Sequence, residues 1–375
     1  MATCRPVGGN VAIKYTSPSS PRATVLPVTS GSVPTPETIK GLPVVGRIDA
    51  VSGQVIESVH VTNPTGPCIV IDGKRDVVIR NSEIGPCGDK TSADQNAANP
   101  DHVNNAGVLV LNGATQITIE RNVIHDATAL ISAHRAVHPL IISRNLFYNI
   151  RGFQWAFQAI AIGETRDATA STRIICNVID DTLVTKYPMA GGRERKVEDH
   201  INFYNSGGTP QFMVELAYNR IRGHADGKGG ESGTGMQLGD SPAGGGGQGS
   251  NVPGYFNVHD NIVTMVNGQG IAIAGGVNSV VRDNKVDNRG SSQSSMTGWP
   301  YGLRNFDSSK PASAVYAGNK GIAKLWAFDR DGHVAPAFSQ VWAGSGFQVT
   351  DLGGNDWQYD FKTPVWDEPL HAACK

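Results

Sequence analysis

The stretch GVLVLNGATQITIERNVIHDA, residues 107–127, contains three short apolar runs separated by polar turns. Apolar and polar residues alternate within a run, as at Ile117 and Ile119, which is typical of strands with one buried face. The pattern recurs in CIVIDGKRDVVIRNSEI (68–84) and GIAIAGGVNSVVRDNKVDN (270–288), and weaker copies begin near Ala129, Gln158, His200, Gly235 and Gly302. A three-strand unit that repeats along the chain predicts a solenoid of stacked coils.

One asparagine marks the turn between the second and third strand of each repeat. Successive members are 23 to 42 residues apart, and the shortest interval is close to a bare coil: Asn81, Asn122, Asn145, Asn177, Asn219, Asn261, Asn284 and Asn319. We expect this asparagine to adopt left-handed backbone geometry at the turn. Its amide should bond to the asparagines of the coils above and below, which gives a ladder inside the stack.

The composition fits a chain of short strands and tight turns. The 375 residues include 45 glycines and 21 prolines, and only 17% are charged. Lys and Arg (32) almost balance Asp and Glu (33), which gives no general attraction to nucleic acid. No run approaches the roughly 18 apolar residues of a membrane span.

The asparagine-punctuated coils of residues 68–320 resemble the pectate-lyase-like superfamily of right-handed parallel β-helices. The resemblance implies an all-β solenoid of about eight or nine coils with capped ends. Residues 1–67 would form a lead-in, a cap and the first coil. Residues 321–375, which are rich in aromatics, would form a C-terminal cap or extension packed on the solenoid.

The superfamily contains polysaccharide lyases, glycoside hydrolases, uronate epimerases and phage tailspikes. The resemblance therefore implies a carbohydrate-active protein, monomeric or trimeric, whose partner is a polysaccharide. Such solenoids are usually exported, so we expect an extracellular or periplasmic protein whose leader has been removed. The sharper motifs of pectate lyases, polygalacturonases and mannuronan epimerases are not found.

In family members that act on polysaccharides, the substrate lies along the sheet of first strands. Period-two alternation predicts that His200, Asn202 and Tyr204 face outward there, with Ile201 and Phe203 inward. His134 lies two coils earlier, about 10 Å away if strands stack about 4.8 Å apart. The coil between them presents Ala161 and Gly163, which leaves room for a sugar ring.

The chemistry that this combination fits is β-elimination on an anionic, uronate-containing polysaccharide, and the main prediction is a polysaccharide lyase. Elimination needs a base for the C5 proton and an acid for the departing O4. We predict catalytic roles for His200, Tyr204 and His134. Predicted substrate-binding residues are Asn202, Lys186, Arg193, Arg195, Lys196, Gln237 and Arg304.

Three alternatives remain open for this surface. The polar residues could be an ordinary wetted sheet face. A glycoside hydrolase would need two carboxylates facing one sugar, for which Asp72, Asp101, Asp226 and Glu231 are available. A non-catalytic binding module or a tailspike-like module would need neither.

Metal and disulfide signals are weak. Asp226 and Glu231 are possible calcium ligands, but their loop lacks the spaced acidic pattern of a calcium site, so we predict no cofactor. Asp180 and Asp181 resemble a hydrolase pair, yet they align with a third strand, which favours a structural role. Cys68 and Cys87 lie at the two ends of one coil and could be either bridged or two separate thiols.

Overall fold

The computed structural model describes the solenoid from its first coil to the C-terminus. Residues 31–375 form one compact unit. Apart from strands, the described residues contain the 3₁₀-helices η1 (Val365–Asp367) and η2 (Ala372–Cys374). No helix in the described ranges could span a membrane. These ranges are 32–88, 105–150, 158–164, 170–183, 196–223, 231–240, 254–266, 269–273, 275–287, 301–304, 312–321, 326–328, 334–336, 347–356 and 359–375.

Each coil contributes one strand to each of three sheets. Sheet 1 contains β2 (Ile48–Asp49), β5 (Ile69–Asp72), β8 (Ala106–Leu111), β11 (Ala129–His134), β14 (Gln158–Gly163), β17 (Lys196–Tyr204), β20 (Glu231–Asp240), β23 (Ile271–Ile273), β26 (Tyr301–Arg304), β29 (Trp326–Phe328) and β30 (Val334–Pro336). Sheet 2 contains β3 (Val55–Glu57), β6 (Val78–Arg80), β9 (Thr115–Glu120), β12 (Val137–Ser143), β15 (Arg173–Ile175), β18 (Val214–Ala217), β21 (Phe256–His259), β24 (Ser279–Arg282), β27 (Ala312–Ala317) and β31 (Phe347–Asp351). Sheet 3 contains β1 (Val44–Val45), β4 (His60–Asn63), β7 (Glu83–Cys87), β10 (Val123–Ala127), β13 (Leu146–Ile150), β16 (Val178–Asp180), β19 (Arg220–Arg222), β22 (Ile262–Thr264), β25 (Lys285–Asp287) and β28 (Lys320–Gly321).

This topology confirms the predicted right-handed parallel β-helix. As far as β29, each strand pairs in parallel with the third strand before it along the chain, as β11 does with β8 and β14 with β11. The last pair of sheet 1, β29 with β30, is antiparallel. Isoleucine, valine, leucine and phenylalanine side chains from all three sheets fill one continuous core.

The asparagine ladder is present and fully hydrogen-bonded. Asn122 donates through Nδ2 to Asn145 Oδ1 and to the Ile79 carbonyl, each at 3.0 Å. Its own Oδ1 accepts from the backbone N–H of Ser82 at 3.1 Å. The same contacts repeat coil by coil, and the ladder asparagines from Asn122 to Asn319 are wholly buried. Since a buried amide left without partners is costly, the ladder fixes the stacking of the coils.

Two details of the predicted ladder are wrong. Asn81 is not a member, because Ser82 occupies the ladder position and Asn81 bonds Glu57 on the surface at 2.9 Å. The left-handed residue is the one that precedes the ladder asparagine, with φ of 53° at Arg121 and 60° at Cys176. The ladder also extends to Asn355, whose Oδ1 accepts from Asn319 Nδ2 at 2.9 Å.

Two disulfides cross-link the described residues. The predicted alternative of a bridge between Cys68 and Cys87 is confirmed, with Cα atoms 5.5 Å apart. A second bridge, which the sequence did not reveal, joins Cys176 to Cys374 across 198 residues. It attaches the C-terminal segment 359–375, which we call the tail, to the corner between sheets 2 and 3.

Candidate functional site

Backbone pairing aligns one residue from each of six successive strands of sheet 1. We call this line the site row, and it consists of Asp72, Leu111, His134, Gly163, Tyr204 and Asp240. The His134 side chain is 39% exposed, and Tyr204 is 37% exposed. As predicted, these two ionisable groups lie two coils apart with Gly163 between them.

The imidazole of His134 lies over Gly163. A Cβ atom added to Gly163 would come within 2.9 Å of His134 Nδ1. Parallel strands lie about 4.8 Å apart, so the backbones of His134 and Tyr204 are about 10 Å apart, and their long side chains can reach a common ligand. The space left by the missing side chain at Gly163 is therefore filled by the His134 ring, and Tyr204 lies at the paired position on the next strand.

Charged neighbours at the corner of sheets 1 and 2 act on His134. Arg135 and Glu164 both adopt left-handed backbone geometry as the chain leaves sheet 1, with φ of 53° and 49°. Glu164 Oε2 lies 3.5 Å from His134 Nε2 and accepts from Arg135 Nε at 2.8 Å. Partial burial is the main influence on His134 and lowers its pKa below the ordinary 6.5, although Glu164 opposes this effect. A neutral imidazole at neutral pH can accept a proton.

The predicted orientation of His200 is wrong. On β17, His200 lies between Asp199 and Ile201. Their partners on β14 are Gln158 and Ile160, which flank the core residue Ala159. Strict alternation fails here, since His200 lies beside a core position of the neighbouring strand. His200 is wholly buried.

The His200 ring is held by groups inside the fold. Its Nδ1 lies 3.1 Å from the Thr234 carbonyl oxygen, and its Nε2 lies 4.0 Å from Asp181 Oδ2. Asp181 is also completely buried. The geometry thus ties His200 to the corner between sheets 3 and 1, away from the site row.

Asn202 and Gln237 face outward next to each other on sheet 1, as predicted, but neither is open to solvent. They are paired in register and only 3% and 6% exposed. Asn202 donates to Asp199 Oδ2 at 2.7 Å. Their predicted contact with substrate therefore requires that this part of sheet 1 be uncovered.

The remaining predicted residues are placed only in part. Lys196 and Glu231 are paired at the starts of β17 and β20, and Arg304 ends β26 opposite Phe328. Their roles stay predictions. The other predicted residues lie outside the described ranges: Asp101, Lys186, Arg193, Arg195 and Asp226.

Within the described ranges, no group of three or more His, Cys, Asp or Glu side chains could hold a metal ion. Asp180 instead pairs with Arg222, which donates to Oδ1 through Nε at 3.0 Å, and it also accepts from the hydroxyl of Thr182. The expected structural role of Asp180 agrees with these contacts.

Glu164 is the site residue that sequence reasoning missed. It follows Gly163 directly, but the alternation pattern describes strand residues only, and Glu164 lies just past the end of β14. The sequence feature that could have identified Glu164 is a charged residue immediately after an outward-facing strand position.

Solved structures offer distant likenesses. The Dettilon tailspike protein matches at TM-score 0.39 and 12% identity, over 83% of this chain and 63% of that one. The catalytic domain of a GH87 α-1,3-glucanase in complex with nigerose matches at TM-score 0.34 and 11% identity, over 84% of this chain and 56% of that one. The chain thus spans less than two thirds of either structure. No protein-family model and no curated protein matches the sequence.

Proposed function

We propose that this protein is a carbohydrate-active enzyme that cleaves a uronate-containing polysaccharide by β-elimination across the site row. The observation that supports the proposal is the position of the His134 ring over Gly163, with Tyr204 on the next strand. A sugar ring held against the His134 ring, on its Tyr204 side, would contact two ionisable groups. We also propose membership of the pectate-lyase-like superfamily, on the strength of the asparagine-punctuated coils.

Elimination assigns one step to each group. Neutral His134 takes the C5 proton of the uronate, and the electron pair left at C5 forms the C4=C5 double bond as O4 departs. The hydroxyl of Tyr204 gives its proton to O4. Arg135, whose side chain is 64% exposed, supplies positive charge near the sugar carboxylate. The products are one chain that ends in an unsaturated uronate and one chain with a new reducing end.

The first prediction concerns these two residues. His134→Ala and Tyr204→Phe should each lower turnover by about 10²-fold or more, because each removes a proton-transfer group. The measurement is ultraviolet absorbance of the unsaturated product over a panel of alginate, pectate, glucuronan and bacterial exopolysaccharides. Tyr359→Phe is the matched control, since Tyr359 lies on the tail, away from the site row, where Lys320 of β28 lies 4.4 Å from the centre of its ring.

Three results would bear against the proposal. Wild-type rates in both His134→Ala and Tyr204→Phe would place catalysis elsewhere. An equal loss in Tyr359→Phe would mean that the effect is not specific to the site row. A full panel without unsaturated product would exclude elimination on those polymers.

Hydrolysis is the second candidate, and backbone register favours it specifically. Asp240 is paired with Tyr204, and Glu164 follows the Tyr204 partner Gly163. The two acidic positions are thus nearly two strand spacings apart, about 10 Å, which is close to the separation in inverting glycosidases. New reducing ends without unsaturated product, lost in Glu164→Gln and in Asp240→Asn, would establish this alternative.

We further propose an extracellular or periplasmic location, which the two disulfides support because such bridges persist in oxidising compartments. Thiol counting on protein purified from its native compartment tests this: one free thiol is expected of the five cysteines, and five would contradict it. The oligomeric state, monomer or trimer, stays a prediction for sedimentation measurements.

A further inference from the structure

The tail runs back along the outside of the solenoid, against the direction of coil stacking. Near its start, Tyr359 donates a backbone hydrogen bond to the Gly321 carbonyl at 2.9 Å. Near its middle, Glu368 pairs with Lys285 at 2.6 Å, and Trp366 stacks on Arg222 at 4.4 Å. Val365 is buried in this contact. The tail therefore touches coils that do not touch one another.

The last residues of the tail bind three consecutive coils at one corner. The His371 ring stacks on Tyr218 with centroids 4.3 Å apart. Arg144 donates to the Ala373 carbonyl at 2.9 Å, and Cys374 is bonded to Cys176. Arg144, Cys176 and Tyr218 are the left-handed residues between sheets 2 and 3 of successive coils.

These three coils are the ones that carry the candidate site. Along the chain, β11 with His134 leads through β12 to Arg144. In the same way β14, with Gly163, leads to Cys176, and β17, with Tyr204, leads to Tyr218. The terminal contacts of the tail and the site row thus lie on the same coils, on different sides of the core.

We infer that the tail is a covalently anchored strap that holds the three site-bearing coils together and so positions His134 against Tyr204. Coils of a solenoid otherwise contact only their neighbours, so a segment bonded to three of them resists their separation. The disulfide matters because residues 371–373 are exposed and, without it, the terminal turn would be free to fray. The positioning part of this inference rests on the proposed function, whereas the restraint on the coils does not.

Two backbone amides report directly on the coils at the site. Arg135 donates to the Gly163 carbonyl at 2.9 Å, and Glu164 donates to the Tyr204 carbonyl at 3.0 Å. If the strap restrains these coils, Cys374→Ser should accelerate hydrogen exchange of both amides by about tenfold or more. Turnover of Cys374→Ser should fall at least threefold. The control is Cys68→Ser/Cys87→Ser, which lacks the bridge of an earlier coil. It should keep the wild-type exchange rates of the two amides and the wild-type turnover.

Each outcome decides one part of the inference. Unchanged exchange in Cys374→Ser overturns the strap. Faster exchange with unchanged turnover keeps the restraint but overturns the positioning role. If no polymer is cleaved by the wild type, the proposed function fails while the exchange result still decides the restraint.

A second experiment covers the case in which Cys374→Ser does not fold. Folded Cys68→Ser/Cys87→Ser protein, which retains only the Cys176–Cys374 bridge, is treated with a dithiol reagent. The reagent gives two electrons and two protons to the bridge, leaving two cysteine thiols and one cyclic disulfide. Exchange at Arg135 and Glu164 should then accelerate as above, and an unchanged rate after complete reduction would contradict the strap.

Discussion

Gly163 is the residue on which the candidate site depends most simply. Its missing side chain is what allows the His134 ring to lie above the strand, 2.9 Å from where a Cβ would be. Gly163→Ala should therefore push the ring aside and lower turnover by about tenfold or more, since small displacements of catalytic groups cost large factors in rate.

Stability should hardly change in Gly163→Ala, because the atom displaced belongs to a half-exposed side chain with space to move. Thermal unfolding measured beside the kinetics separates the two effects. Wild-type turnover in Gly163→Ala would show that catalysis does not need the His134 ring to lie over Gly163.

The pH dependence of the reaction follows from the environment of His134. Burial lowers the pKa of His134 below 6.5, so the base is formed, and the rate rises, as pH increases through a midpoint below 6.5. Glu164 acts in the opposite direction on this pKa. Glu164→Gln should therefore move the midpoint in kcat/KM to a still lower pH while the enzyme stays active.

Kinetics of the wild type and of Glu164→Gln between pH 4 and pH 9 provide the measurement. A midpoint that moves upward in Glu164→Gln would exclude His134 as the titrating base. Complete loss of activity in that variant would favour the hydrolytic alternative.

At the level of single residues, sequence reasoning succeeded where strand geometry is regular. His134 and Tyr204 were located by period-two alternation, which holds near the ends of β11 and β17. His200 was misplaced because alternation fails in the first half of β17, next to the core residue Ala159 of β14. A local loss of alternation of this kind has no signature in the sequence and is seen only in the three-dimensional structure.

Within one turn, the asparagine ladder makes a separate stability prediction. Asn261 is wholly buried and bonds Asn284 at 2.9 Å. Asn261→Leu should lower the free energy of unfolding by about 1–3 kcal/mol, because its buried hydrogen-bond partners are left unmet. Asn257→Leu in the same coil is the matched control, since Asn257 lies half-buried on the outer face of β21 and should change stability little.

Denaturant unfolding of both variants measures this difference. Equal losses in Asn257→Leu and Asn261→Leu would show that the ladder contributes no more than an ordinary surface position.

The same turn shows what a repeat pattern can and cannot reveal. The recurring asparagine correctly predicted stacked amides, because only a constant internal position needs one residue type in every coil. The left-handed position varies among Arg121, Cys176 and Tyr218, so it has no sequence signature. Asn81 was assigned one position too early because serine occupies the ladder site in that coil.

For the whole molecule, the repeat was enough to predict a solenoid of stacked three-strand coils, and the family resemblance added that it is a right-handed parallel β-helix. The tail could not be predicted in this way. Its disulfide joins residues 198 positions apart, and its contacts with Arg144 and Tyr218 follow no period. Long-range, unrepeated contacts of this kind appear only once the coils are placed in space.

The central claim, that a sugar ring binds between the His134 ring and Tyr204, is tested most directly by a crystal structure of Tyr204→Phe with an oligosaccharide of the cleaved polymer. This variant keeps the shape of the site and removes the proposed proton donor, so the sugar should remain intact. We expect one uronate ring between the ring of His134 and the ring of residue 204, with its C5 facing His134 and its O4 facing residue 204. A sugar bound on another sheet, or over sheet 1 without contact to His134, would contradict the account.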